Sequence, residues 1–248
     1  MEKELKEKLK KEKKEVKEML KREKNEKKEP KRAENRRRNE APHYGVLEEI
    51  GNSVTHGVGA VFGIIALIIL LLHSNNGMMA FASCVYGVAI FFSMCNSCLY
   101  HSFKWGTRVK RLWRRFDYAS IYLLIGGTFA PIQLINIGGT LGIIYFCIMW
   151  SAIITGIVFV SVFGPGRLRW LHYTLYFIVG WSGLMVIPYW ISSQNISLLL
   201  WILAGGIAYT LGMIPFAKKG IKGAHFIWHF FVLIGVIVHF IGIFLYIY

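Results

Sequence analysis

The chain has 248 residues, 54% of them hydrophobic, yet it carries a formal net charge of +15. The charge is uneven: residues 1–50 hold 18 Lys+Arg and 13 Glu, whereas residues 51–248 hold 11 Lys+Arg and a single acid, Asp117. That division excludes one evenly mixed soluble domain and predicts a charged tail, 1–44, ahead of a membrane domain, 45–248.

The tail MEKELKEKLKKEKKEVKEMLKREKNEKKEPKRAENRRRNE has no apolar stretch, so it predicts no signal peptide. Glu2/Lys6, Glu4/Lys8, Glu7/Lys11, Glu18/Arg22 and Glu23/Lys27 are pairs four apart with the acid first, the order that supports a solvated helix. Pro30 is expected to end or kink that helix, leaving a helical or disordered tail. Arg36, Arg37 and Arg38 then approach the membrane, where anionic lipid heads would attract them; a plain solvated tail is the competing reading. Nucleic acid is not an expected partner, because acids interleave with the bases and no aromatic stacking surface is present.

Apolar windows long enough to cross a bilayer, which takes about 20 residues each, fall at 50–73, 78–101, 116–136, 139–163, 170–191, 196–216 and 223–247. The predicted fold is therefore all-α, a bundle of seven transmembrane helices. Every Lys and Arg after residue 50 lies in the connections KWGTRVKRLWRR, GPGRLR and AKKGIK, while HSNNGM, NIGG and SSQNI carry no charge. The positive-inside rule then places the amino terminus in the cytoplasm and Tyr248 outside, in a multi-pass protein of the plasma membrane. Cys84, Cys95, Cys98 and Cys147 all fall in apolar segments and are expected as small buried hydrophobes with free thiols. His73 and His172 lie at span ends and are expected at the membrane interface; His239, deeper in span 7, is expected to be packed or bonded to a helix.

The remaining polar residues gather at one depth. His101 closes span 2, with Ser97 one turn deeper; Asp117 opens span 3; His225 and His229 occupy the first two turns of span 7; Glu49, Asn52 and His56 share a face at the start of span 1. Two histidines four apart on a helix face the same way, about 6 Å apart along the axis. That spacing lets both imidazoles bind one metal ion, and His101 would supply a third nitrogen, the arrangement of a catalytic zinc site with a position left for water. Asp117 would then accept a proton from that water. Other readings remain for each residue taken alone: helix packing for the histidine pair, a capping role or a pair with Arg114 or Arg115 for Asp117, and an interfacial belt for His101.

Three motifs give a resemblance. EIGNSVTH carries Glu49, Asn52 and His56; SCLYH, followed by FDYASIYLLIGGTFAP, carries Ser97, His101 and Asp117; HFIWH carries His225 and His229. Over about residues 45–248 the sequence resembles the progestin and adipoQ receptor superfamily, in its haemolysin III-like branch. The resemblance implies a seven-helix bundle with Zn2+ bound by His101, His225 and His229, Asp117 contacting the metal-bound water, and Ser97 behind it. Adiponectin receptors and alkaline ceramidases, similar in this pattern, look like lipid amidases. The charged tail lies outside the resemblance.

Four functions compete at this level. A zinc-dependent hydrolase would cleave an amide or ester bond of a membrane lipid, a sphingolipid or phospholipid, near the cytoplasmic surface. A cytolytic pore, the activity in the branch name, should be lined with polar residues along its length, and the outer half has almost none. A receptor or structural protein would use zinc only to tie spans 2 and 7 together. A proton relay lacks a second acid, and Asp117 lies near an end.

Overall fold

The computed structural model describes residues 1–192, 195–217 and 221–248; Lys218 and Lys219 of the last basic connection lie outside them, as does the side chain of Glu4 in its expected pair with Lys8. Helix α1 (Glu2–Arg38) belongs to one compact unit, Met1–Glu40, and Ala41–Tyr248 form another. In α1, Lys6 pairs with Glu2 at 2.8 Å and Lys27 with Glu23 at 2.5 Å, as the spacing requires. Of the two outcomes expected at Pro30, an end or a kink, the helix does not end there: it continues to Arg38. An Arg36–Glu29 ion pair bridges the proline, and Arg38 pairs with Glu34 beyond it. On a solvated helix, water can take the carbonyl that proline leaves unpaired, so these pairs suffice to carry the helix past it.

The second unit is a chain of helices: α2 (Val46–Leu72), α3 (Gly77–Ser102), α4 (Arg108–Pro131) running on through a π-helical turn Ile132–Ile137, and α5 (Gly139–Phe163). Then come α6 (Arg169–Gly180), a 3-10 stretch Trp181–Val186, α7 (Ile187–Ser192), α8 (Ile196–Ala217) and α9 (Ala224–Ile247). Among the described residues seven helical stretches are long and apolar enough to cross a membrane. Their bounds follow the expected windows except in the third, which begins at Arg108 rather than near 116. Thr107 caps α4 by accepting from the Lys110 amide at 3.2 Å, and the cationic residues 108–115 form its first two turns. Asp117 therefore sits inside the helix, about 14 Å along its axis from Arg108, and cannot be its cap.

Helix α2 packs on α3 and α9, α3 on α4, α4 on α5, and α8 on α9. The α3–α4 contact is close because Gly127 has no side chain: a Cβ there would collide with Ala89 Cβ. Gly205 makes room in the same way for the His239 ring, whose Nε2 donates to the Ile202 carbonyl at 3.0 Å. His239 is thus the packed, helix-bonded residue expected of it. His172 is not interfacial: it is fully buried, with Nδ1 at 3.0 Å from the Tyr122 hydroxyl. That hydroxyl gives the ring a partner inside the bundle, which a residue placed by depth alone would lack. Cys84 and Cys147 are likewise not buried but exposed on the outside of the bundle, where a thiol is compatible with lipid; all four cysteines are free.

At one end of the bundle Tyr248 Oη reaches Ser83 Oγ at 2.8 Å, and Ser83 reaches Ser74 at 2.9 Å, joining the end of α9 to the start of α3 and the end of α2. The opposite end gathers the start of α2, the end of α3 and the start of α9, and there the polar residues meet.

Candidate metal centre

His101 is the last but one residue of α3, and His225 and His229 lie in the first two turns of α9. His225 Nε2 is 3.2 Å from His101 Nε2 and 3.0 Å from His229 Nε2. One ligand nitrogen from each of the three lies within 4.8 Å of the others, and no further His, Cys or carboxylate joins the group among the described residues. His101 and His229 are 3% and 2% exposed, so bulk water does not solvate these nitrogens.

Helix α2 sets how the rings face. Glu49 Oε2 lies 2.6 Å from His101 Nδ1, and a carboxylate can only accept, so Nδ1 carries the proton and Nε2 presents its lone pair. Asn52, fully buried, lies beside the same nitrogen at 3.4 Å. One turn further, His56 Nε2 approaches the His229 carbonyl at 3.3 Å and must donate to it. Both ring nitrogens of His56 lie 2.9 Å from His229 Nδ1; with the Nε2 proton directed to the carbonyl, Nδ1 accepts from His229 Nδ1, which leaves the His229 Nε2 lone pair facing inward. EIGNSVTH is thus the support that orients two of the three rings. Lone pairs brought this close repel one another unless a cation or shared proton lies among them, and a neutral imidazole set of this kind suits a divalent metal.

Asp117 and Ser97 are not among the grouped nitrogens. They line, with His225 and His229, a cavity of about 170 Å³ that runs between the helices as far as Trp190 and His239. Its walls are mostly aliphatic and aromatic. Ser97 is 2% exposed, and its hydroxyl faces the Asp117 carboxylate, to which it can donate. Asp117 lies within electrostatic reach of His101, Arg114 and Lys110. Cys95 and Cys98, spaced by threes with His101, take no part: Cys98 Sγ lies 3.4 Å from Ser53 Oγ on α2 instead.

Two residues at the site were not singled out from the sequence. Tyr44, just before α2, stacks on His225 with ring centroids 4.6 Å apart and an interplanar angle of 16°. Burial pushes its phenol well above the usual range, so it stays neutral. Its segment is held by Trp105 Nε1, which donates to the Ala41 carbonyl at 2.9 Å. Lys110 is completely buried and places Nζ 2.6 Å from Glu49 Oε1. Both lie outside the three motifs, and Lys110 was counted only as a topology charge.

Residues 44–240 match the family described as haemolysin-III related. The chain is 39% identical over 198 residues to "Hemolysin-3" of Bacillus cereus, covering 77% of this chain and 87% of that protein. It is 34% identical over 194 residues to "Hemolysin-3 homolog" of Bacillus subtilis (strain 168), covering 77% of this chain and 90% of that one. With the seven helices and the three motifs in place, the chain is a membrane protein of the haemolysin III family.

Proposed function

We propose that the protein is a zinc-dependent hydrolase of lipid amide or ester bonds, embedded in the plasma membrane with its site at the cytoplasmic leaflet. One observation carries the reading: three imidazole nitrogens converge where a mostly apolar cavity begins, and a carboxylate with a serine hydroxyl beside it lines the same cavity. A ligand set meant only to tie helices together needs neither the cavity nor the acid. The basic connections gathered at this end favour a cytoplasmic position for it.

His101, His225 and His229 would hold the zinc, which when bound acidifies water and polarises a carbonyl. The chain's own residues do the rest. The cavity takes the apolar chain of a sphingolipid or phospholipid and keeps bulk water from its walls. Asp117 accepts the proton of the attacking water at its carboxylate and returns it to the leaving amine or alcohol. Ser97 donates its hydroxyl to Asp117 and so holds the carboxylate that takes the proton. Tyr44 covers the far side of His225 and shields it from solvent.

Asp117→Asn tests this. The helix keeps its Thr107 cap, so folding and zinc content should be retained, while lipid hydrolysis should fall by about 10²–10⁴-fold, the usual cost of losing a general base. Mass-spectrometric analysis of ceramides and phospholipids incubated with the purified protein reads the outcome. Hydrolysis at the wild-type rate in Asp117→Asn would remove the acid's role. Dye leakage from vesicles that survives the substitution, with no lipid product from the wild type, would favour a cytolytic pore, the activity in the relatives' names.

A further inference from the structure

Lys110 is the third residue of α4, and its position carries two costs. A cation in the first turn opposes the helix dipole. A lysine with no exposed surface has given up its hydration. Its ammonium has two neighbours, Glu49 Oε1 at 2.6 Å and the face of the Tyr100 ring, 4.8 Å from its centroid. Glu49 is shared: one oxygen faces Lys110 and the other His101 Nδ1, also at 2.6 Å. A carboxylate can rotate about its terminal bond, and an anion this near three imidazoles could turn towards a metal among them. The lysine holds one oxygen and so fixes the direction of the other. It also cancels the charge of Glu49, so the pair orients His101 without changing the net charge beside the metal.

We propose that Lys110 is a positioning residue of the metal site: through Glu49 it fixes the tautomer and ring direction of His101 so that Nε2 faces the place where the ion would bind. The inference rests on the zinc reading given above and extends it to a residue outside the three motifs. A purely structural ion pair is the rival, and buried pairs contribute little to stability when a neutral pair can replace them.

The test uses the full-length protein purified in detergent, as wild type, K110M, K110R and the double variant E49Q/K110Q. Zinc affinity is measured by chelator competition, the ligand field from the visible bands of bound Co2+, and stability from thermal unfolding of the metal-free protein. K110M should bind zinc about 10–100-fold more weakly, the usual effect of losing an outer-shell partner, and should shift the cobalt bands. K110R keeps the charge and should restore most of the affinity. E49Q/K110Q leaves no unpaired charge, so it should unfold near the wild-type temperature yet show the same loss, which keeps the test decisive if K110M folds poorly. Wild-type affinity and an unshifted cobalt spectrum in E49Q/K110Q would overturn the proposal. So would a loss confined to variants whose metal-free form is destabilised. A wild type that binds neither ion overturns the zinc reading and takes this inference with it, a result distinct from the other two.

Discussion

Replacing each of His101, His225 and His229 by Ala should empty the site, and the geometry sets the size of the effect. Zinc–nitrogen bonds of about 2.0–2.1 Å at tetrahedral angles place ligand nitrogens about 3.4 Å apart. Two of the three separations, 3.2 and 3.0 Å, are within a few tenths of an ångström of that, and all three ligand nitrogens lie within 4.8 Å of one another. Four-ligand structural zinc sites bind with about 10–16 kcal/mol, or roughly 3 kcal/mol per ligand, so losing one of three nitrogens should weaken zinc upwards of about 100-fold. His56→Ala removes only the partner of His229 Nδ1 and should cost about 10–100-fold. His172→Ala and His239→Ala, whose rings bond to Tyr122 and to the Ile202 carbonyl, should leave zinc in place. Elemental analysis after dialysis against a chelator reads the six variants and the wild type, with about one zinc per chain expected in the wild type. Full occupancy in all three triad variants would refute the assignment, and loss in His239→Ala would show that the measurement tracks folding.

A reporter fused after Tyr248 should read as outside and one placed between α3 and α4 as cytoplasmic; a cytoplasmic carboxyl end would put the histidine site at the other leaflet. Gly127→Ala should destabilise the bundle by about 1–3 kcal/mol, because its Cβ meets Ala89 across the α3–α4 contact. Thermal unfolding in detergent measures it, and a wild-type midpoint would mean that the helices separate there at no cost.

The bundle was legible because burial in lipid demands long apolar runs, and charge bias follows from the same demand. The triad was legible because a polar side chain in such a run is expensive, so His101, His225 and His229 stood out against an apolar background. The misplaced residues have separate causes, the first being that depth along the chain does not say which way a side chain turns. His172 sits where an interfacial residue would, but Tyr122 on another helix offers it a partner inside the bundle. Asp117 looked like a helix start because the apolar run begins beside it, whereas the helix itself begins at Arg108, where Thr107 supplies the cap. Lys110 was hidden more thoroughly. Among the basic residues of its connection it looks like any other topology charge, and only the tertiary contact with Glu49 separates it from them.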